Sequence, residues 1–197
     1  MTYQRILKEE TNTIPEHGLC FLDTETTGLD AKAQDIIQVG CIIVVDGEVK
    51  ETLEFKCKPF DPTTISPFAV KVHKMGVDQM LEFPDPVDQC KMFVETLQRY
   101  AKRYTMIAYN AKFDMRFLRE WALKCKNPDL MCMFMNVSCV MEAWKDHRRM
   151  SNIKTKNNKL TTVCEYFGVR IHAHDALNDI KATKEIWDHL GGKMVEG

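Results

Sequence analysis

The chain has 197 residues, of which 45% are hydrophobic and 28% are charged, and its formal net charge is −1. This length and composition are typical of one globular domain with a full hydrophobic core. No apolar run is long enough to span a membrane, so we do not expect a membrane-spanning protein. The N-terminus is polar and charged, so we do not expect a signal peptide. The eight cysteines include no Cys-x-x-Cys pair, so we expect free thiols and a reducing, cytoplasmic location.

Strand patterns dominate the first part of the chain. Residues 1–17 are predicted to be a loose lead-in, and residues 18–197 a single domain. We predict strands at 19–24, 36–45 and 48–58. The Asp46-Gly47 pair predicts a hairpin turn between the second and third strands. At least two of these strands are therefore expected to be antiparallel neighbours.

The rest of the chain alternates between helix and strand patterns. Ser66-Pro67 predicts a capped helix that runs towards His73. We predict further helices at 87–103, 111–124, 139–147, 160–167 and 175–190, and further strands at 105–109 and 131–137. This alternation predicts an α/β fold in which helices flank a central mixed five-stranded sheet.

Two carboxylates, Asp23 and Glu25, end the first predicted strand. Since residues i and i+2 of a strand project from one face, the two side chains should point the same way. Like charges about 4 Å apart repel by roughly 4 kcal/mol at the effective dielectric of a protein surface. A divalent cation between them, or a proton on one of them, would relieve this repulsion. An ordinary strand-to-turn junction with solvated acids is the alternative interpretation.

Two further acids begin helices. Asp114 follows Asn110 in the first turn of the helix predicted at 111–124, and Asp179 lies five residues after His174 in the last helix. The helix dipole favours a carboxylate in the first turn whatever its function. A lone histidine at such a position is more often a surface residue than a catalyst. Neither cluster is therefore informative by itself.

The order and spacing of the three clusters resemble those of the DnaQ-like 3′→5′ exonucleases of the DEDD superfamily. Residues 21–29 resemble the first motif of that family, residues 108–118 the second, and residues 174–179 with Ala182 the third. In the tyrosine branch of the superfamily a tyrosine would stand four residues before Asp179, where this chain has Asp175. The resemblance is therefore to the histidine branch, covers roughly residues 18–190, and implies a ribonuclease H-like fold.

The resemblance implies metal-dependent hydrolysis that releases nucleoside 5′-monophosphates from a 3′ end. Two Mg²⁺ or Mn²⁺ ions would be held by four carboxylates, those of Asp23, Glu25, Asp114 and Asp179. Sites that offer only oxygen ligands suit these ions. Two such ions stabilise the attacking and leaving oxygens of an in-line displacement. His174 would act as the general base.

The resemblance also implies contacts to the last nucleotides of the substrate, by Thr26, Gly28, Leu29 and Asn110. Residues 145–159 form a second candidate for substrate binding, because they contain six lysines and arginines and one acid, Asp146. We name residues 145–159 the basic segment. It could guide the phosphates of an incoming strand, or it could be a solvated loop.

Single-stranded or frayed DNA is the expected substrate, in preference to RNA. The first alternative is an exoribonuclease of the same branch that trims RNA ends or short oligoribonucleotides. A catalytically silent nucleic-acid-binding module and a non-nuclease domain with coincidental motifs are further alternatives. The chain ends just after the last predicted helix, which favours a stand-alone nuclease over a polymerase-bound editing subunit. No membrane partner is expected, and a homodimer is compatible with the sequence.

Overall fold

A mixed five-stranded sheet forms the centre of the protein, in a computed structural model that describes residues 14–171, 175–192 and 194. Its strands are β1 (His17–Thr26), β2 (Ile36–Val45), β3 (Glu48–Lys56), β4 (Arg103–Ala108) and β5 (Phe134–Cys139). Their order across the sheet is β3-β2-β1-β4-β5. The β3-β2-β1 half is antiparallel, whereas β1, β4 and β5 are parallel. The predicted sheet is confirmed, and β1 is its middle strand.

Helices cover both faces of the sheet. They are α1 (Pro67–His73), α2 (Val77–Leu81), α3 (Pro86–Tyr100), α4 (Ala111–Lys124), α5 (Asp129–Cys132), α6 (Val140–Met150), α7 (Leu160–Phe167) and α8 (Ala176–His189). One core packs α3 and α4 on one face, and a second core packs α6, α7 and α8 on the other. Because both faces are covered, every residue of β2 is buried, as expected for an interior strand.

The structure corrects several predicted boundaries. The strand predicted at 131–137 begins only at Phe134, because residues 129–132 form the short helix α5. The helix predicted at 87–103 ends at Tyr100, because Ala101 adopts an extended backbone (φ −154°, ψ 159°) and β4 begins at Arg103. The strand predicted at 19–24 is longer by two residues at each end, since β1 runs from His17 to Thr26. The short helix α2 was not predicted.

All eight cysteines are free, and all except Cys132 are buried. In the described ranges, no helix is both long enough and apolar enough to cross a membrane.

Candidate active site

Strand β1 carries the first two candidate metal ligands, Asp23 and Glu25. The apolar residues before them, Cys20 to Leu22, are fully buried and fix the strand in the middle of the sheet. Carboxylate oxygens of Asp23, Glu25 and Asp179 all lie within 4.8 Å of one another. The structure thus brings together three of the four predicted carboxylates. We name these three residues the acidic cluster.

Helix α8 brings Asp179 to β1 because the neighbouring strand β2 has no side chain at one position. Gly40 of β2 pairs with Asp23 in the sheet register. A Cβ atom at Gly40 would lie 2.5 Å from both the carbonyl carbon and the carbonyl oxygen of Ala176, in the first turn of α8. Asp175 caps this turn, since its carboxylate accepts a hydrogen bond of 3.1 Å from the Asn178 N–H. Glycine at position 40 therefore permits the close approach of α8.

The fourth carboxylate, Asp114, contacts the backbone between the two acids of β1. Its Oδ1 accepts hydrogen bonds from the Thr24 N–H (3.0 Å) and from the Thr24 hydroxyl (2.8 Å). Asp114 is 3% exposed and lies in the first turn of α4. It does not join the acidic cluster within 4.8 Å, but its charge reaches Asp23 and Glu25, as their pKa values show.

Burial and mutual repulsion raise the pKa values of these carboxyl groups. The pKa of Asp23 is well above its usual value because the group is buried, and because Asp114, Asp179 and Glu25 carry like charge. Burial first, and then the like charges of Asp179 and Asp114, raise the pKa of Glu25 to about 8. Burial raises the pKa of Asp114 to about 7, although the two hydrogen bonds from Thr24 act to lower it. Without a counter-charge, the site therefore retains protons at neutral pH.

The chemistry of this donor set fits divalent cations. Buried carboxylates that repel one another are stabilised when a cation replaces their protons. Asp23, Glu25, Asp114 and Asp179 offer only oxygen ligands, which hard ions such as Mg²⁺ and Mn²⁺ prefer. These residues could therefore hold a metal centre.

A cavity of about 380 Å³ lies beside Glu25. It is lined by three of the four predicted substrate contacts, Thr26, Gly28 and Leu29, and also by Phe68, His73 and Phe113. Its volume is within the range of small-molecule sites. We name it the terminal pocket.

The fourth predicted contact, Asn110, does not line the terminal pocket. It lines a separate cleft of about 670 Å³ together with Asp179, Lys145 and Lys159. Part of this wall is the loop before α7, which Tyr109 holds by donating a hydrogen bond of 2.6 Å from its hydroxyl to the Asn158 carbonyl. We name this space the strand cleft. One member of the acidic cluster thus lines each space, Glu25 the terminal pocket and Asp179 the strand cleft.

The basic segment lines a third space, of about 800 Å³, which shares Lys145 and Asn158 with the strand cleft. Several of its cations are neutralised by nearby acids. The ion pairs are Lys145–Glu142 (2.7 Å), Arg149–Asp146 (2.9 Å) and Lys156–Glu165 (3.2 Å). Arg148, Lys154 and Lys159 form no ion pair with any described residue, although Arg148 donates a hydrogen bond of 3.2 Å to the Thr155 hydroxyl. Lys154 and Lys159 are therefore the two lysines of the segment whose charge no described acid offsets.

The predicted general base, His174, lies outside the described residues. Its role as general base therefore stays a prediction from the third motif.

Sequence analysis missed three residues that shape the site. Thr24 was treated as part of a motif, but it orients Asp114. Gly40 could have been noticed, because glycine inside a strand often marks the close approach of another segment. The Gln34 side chain occupies the space that any side chain at position 28 would need, since its atoms lie 1.9–2.1 Å from an ideal Cβ at Gly28. The Gln34 amide also donates hydrogen bonds to the carbonyls of Thr27 and Thr64. No sequence pattern indicated the role of Gln34.

A sheet of this order and direction, with acids on its middle strand and on two flanking helices, defines the ribonuclease H-like class of nuclease folds. The chain belongs to the exonuclease family (RNase_T), whose sequence model matches residues 20–187. This match confirms the predicted resemblance to the DnaQ-like exonucleases of the DEDD superfamily.

The relatives include bacterial DNA polymerase III proteins. The chain is 28% identical over 195 residues to DNA polymerase III PolC-type of Caldanaerobacter subterraneus subsp. tengcongensis, which covers 97% of this chain and 13% of the relative. It is 25% identical over 166 residues to DNA polymerase III subunit epsilon of Treponema pallidum. That alignment covers 84% of this chain and 72% of the relative. The chain thus spans about an eighth of the PolC-type relative.

Solved structures share the fold. Exonuclease I of E. coli in complex with a dT13 oligonucleotide has a TM-score of 0.74 at 18% identity, over 89% of this chain and 40% of that chain. Exonuclease I from Methylocaldum szegediense has a TM-score of 0.75 at 18% identity, over 89% of this chain and 41% of that chain.

Proposed function

We propose that residues 18–197 act as a 3′→5′ exonuclease domain on single-stranded or frayed DNA and release nucleoside 5′-monophosphates. One observation carries the proposal. The half-buried acidic cluster of Asp23, Glu25 and Asp179 adjoins two spaces, because Glu25 lines the terminal pocket and Asp179 lines the strand cleft with its lysines. A phosphodiester bond that spans from the pocket to the cleft would pass over the carboxylates.

In this proposal the carboxylates bind two Mg²⁺ or Mn²⁺ ions. When bound, such ions supply Lewis-acid stabilisation and an activated water. Asp23, Glu25 and Asp179 would hold the ions, and Asp114, which accepts hydrogen bonds from Thr24, would complete the set of ligands. His174 has the proposed role of general base, which accepts a proton from the attacking water. This role follows from its place in the third motif.

The two spaces that adjoin the acidic cluster suggest a direction for the strand. The terminal pocket holds the last nucleotide between Leu29 and Phe68, which are 69% and 65% exposed and offer apolar surface to a base. The strand then passes the acidic cluster and leaves through the strand cleft, past Asn110 and Lys159. Cations there attract phosphates without regard to sequence.

DNA is the preferred substrate in this proposal, and RNA is the alternative. The choice is supported by the relatives, which are named as DNA polymerase III proteins, and by the dT13 oligonucleotide in the E. coli Exonuclease I complex. A hydroxyl at the 2′ position is the only chemical difference that the pocket would have to read on the sugar.

The proposal is tested with 5′-labelled single-stranded DNA and a matched RNA, incubated with the protein in Mg²⁺, in Mn²⁺ or in chelator. We expect a ladder that shortens from the 3′ end in metal, faster for DNA, and no reaction in chelator. The Asp23→Ala variant, prepared in parallel, excludes a contaminating nuclease. Products that shorten from the labelled end, or activity that survives in both chelator and Asp23→Ala, would contradict the proposal.

The strand path has its own test within the basic segment. Neutralising the two lysines that have no acidic partner among the described residues, in Lys154→Gln/Lys159→Gln, should raise KM more than it lowers kcat. The salt dependence of KM should also become shallower, because phosphate contacts are lost. The matched control is Lys156→Gln, whose ammonium is already paired with Glu165. Equal effects of the double variant and the control would contradict this path.

A further inference from the structure

The terminal pocket has two walls that come from different parts of the chain. One wall is formed at the end of β1 and in the loop after it, by Thr26, Gly28 and Leu29. The other wall is formed by α1, which contributes Phe68 and His73. Because a nucleotide in the pocket would contact both walls, its affinity depends on how the walls are held relative to each other.

The two walls meet at the carbonyl of Thr27. This carbonyl accepts hydrogen bonds from the N–H of Ser66 (2.8 Å), the cap of α1, and from the side-chain amide of Gln34 (3.2 Å). The same Gln34 amide donates a hydrogen bond of 2.9 Å to the carbonyl of Thr64, shortly before α1. Gln34 therefore bridges the loop after β1 and the segment that leads into α1.

Asp35 fixes this junction from the next position in the chain. Its N–H donates to the Thr27 hydroxyl (2.9 Å), and its carbonyl accepts a hydrogen bond from the Thr27 N–H (2.8 Å). Its side chain is only 1% exposed. The Oδ2 atom of this buried carboxylate accepts a hydrogen bond of 3.1 Å from the Asp61 N–H. Asp35 therefore joins the loop after β1 to the chain that precedes α1.

Lys124, in the last turn of α4, supplies the counter-charge for Asp35. Its ammonium lies 2.7 Å from the Asp35 Oδ1 and donates a second hydrogen bond, of 3.1 Å, to the Gln34 carbonyl. A buried carboxylate is costly unless it is paired and hydrogen-bonded, so this ion pair fixes the position of Asp35. Helix α4 also carries Phe113, which lines the terminal pocket. The ion pair thus ties a third element of the pocket to the junction of its walls.

Asp35 and Lys124 act on the terminal pocket from behind its walls. Neither residue is among those that line the pocket, so neither would touch the nucleotide. Neither belongs to the acidic cluster. Loss of the ion pair should therefore loosen the walls without removing a ligand of the metal ions.

We propose that the Asp35–Lys124 ion pair and Gln34 position the two walls of the terminal pocket and thereby set its affinity for the terminal nucleotide. Binding to a preformed pocket costs less conformational entropy, because the walls need not be ordered at the same time. The three residues are positioning residues in this proposal, and their effect is on binding. This inference rests on the proposed function and concerns its terminal pocket.

The test measures KM, kcat and the binding of the product in Lys124→Met, which removes the ammonium but keeps an unbranched side chain. We expect the KM for single-stranded DNA to rise about tenfold, because binding must now order the walls. The Kd of deoxyadenosine 5′-monophosphate, measured by calorimetric titration, should rise by the same factor. The kcat and the affinity for Mn²⁺ should remain those of the wild type. A variant that is merely less stable would instead lower the apparent kcat and leave KM and Kd unchanged, because fewer molecules would be folded.

Two substitutions serve as controls. Lys124→Arg retains a cation for Asp35 and should restore KM and Kd. Lys184→Met is the matched control, because the Lys184 side chain is also 26% exposed and its ammonium also lies 2.7 Å from a carboxylate, that of Asp188. Both residues of that pair are on α8, which does not line the terminal pocket. We expect Lys184→Met to leave KM and Kd unchanged.

Gln34→Met probes the same junction without removing either charge of the ion pair. It removes the hydrogen bonds to the carbonyls of Thr27 and Thr64 and should raise KM and Kd about two- to tenfold. The combined Gln34→Met/Lys124→Met variant should show less than the product of the two single effects, since both substitutions release the same walls. Gln34→Met alone decides the inference should Lys124→Met fail to fold.

The outcomes separate this inference from the proposed function. If the wild-type protein shortens DNA but neither Lys124→Met nor Gln34→Met raises KM and Kd, the inference is wrong and the proposed function stands. The same holds if Lys184→Met raises them equally. If the wild type binds the mononucleotide but shortens no DNA in Mg²⁺ or Mn²⁺, the proposed function is wrong, and the Kd values alone decide the inference. If it neither shortens DNA nor binds the mononucleotide, both are wrong.

Discussion

The carboxylate of Asp114 accepts hydrogen bonds from both the backbone N–H and the side-chain hydroxyl of Thr24. The pairing of β1 with β4 ends at Phe21 and Ile107, so no β4 carbonyl accepts a hydrogen bond from the Thr24 N–H. Asp114 thus takes the place of a strand partner and fixes the backbone between Asp23 and Glu25. One side chain thereby connects the second motif to the first.

We predict that Thr24→Val weakens this connection without removing a proposed metal ligand. The lost hydroxyl should lower the free energy of unfolding by about 1–3 kcal/mol, since the buried carboxylate loses a donor. It should also raise the pKa of Asp114, because that bond favours the charged form. The acidic limb of the pH profile of kcat/KM would move to higher pH, and activity would fall roughly 10- to 100-fold.

Thr24→Ser is the control for this prediction, because it retains the hydroxyl and should behave like the wild type. Chemical denaturation and a pH series of initial rates supply the two measurements. A pH profile of Thr24→Val that coincides with that of Thr24→Ser would contradict the role of the hydroxyl.

We predict that the metal-free protein loses stability as pH rises from about 4.5 to 8. The pKa of Glu25 is about 8 and that of Asp114 about 7 in the folded protein, above the usual values of 4.5 and 3.8. The folded state therefore binds more protons than the unfolded state in this range, and their stabilising contribution is lost as these groups ionise. Thermal unfolding in chelator at several pH values measures this.

Asp23→Asn tests the cause of that pH dependence, because it removes one of the repelling charges. At pH 8 in chelator, we expect it to be more stable than the wild type, because the remaining acids ionise with less mutual repulsion. Added Mg²⁺ or Mn²⁺ should stabilise the wild type and not the variant. An equal response of the two proteins to metal would show that Asp23 holds no ion.

We predict that Gly40→Ala damages the site from a distance. The added methyl group would meet the Ala176 carbonyl group at 2.5 Å, so α8 would have to move away from the sheet. Overpacking of this kind costs about 1–3 kcal/mol, and the shift would take Asp179 away from Asp23 and Glu25. Calorimetric titration should then show weaker metal binding, together with lower activity.

Gly76→Ala is the control for the effect of adding a methyl group. At Gly76 an ideal Cβ meets nothing within 4 Å, and φ is −70°, which any residue adopts. If Gly40→Ala bound metal as tightly as Gly76→Ala, the close approach of α8 would not be what positions Asp179.

We predict that His174→Ala lowers turnover while metal binding survives. A general base contributes about 10²–10⁴-fold, so kcat should fall by that factor. Asp23→Ala is the contrasting variant, since it should lose both turnover and tight metal binding. Near-wild-type turnover of His174→Ala would remove this residue from the mechanism.

The sequence predicted the acids but not the way they are held. Asp23 and Glu25 could be paired from strand periodicity alone, and Asp114 and Asp179 from their motif spacing. The contacts of Thr24 and Gly40 join segments about 90 and 136 residues away, respectively, and local patterns do not encode such distances. For the same reason the sequence predicted that Asn110 and Leu29 contact the same nucleotides, whereas the two residues line different spaces.

The central position of β1 has a consequence for amide hydrogen exchange. The strand pairs with β2 over Leu19 to Thr26 and with β4 over His17 to Phe21. From Leu19 to Phe21 the strand is paired on both sides, so its amides there cannot be released by fraying at an edge and should exchange only when the whole domain unfolds. Asp23 and Glu25 follow this section directly and stay paired with β2, so the strand that carries them would not have to refold each time ions are bound or released.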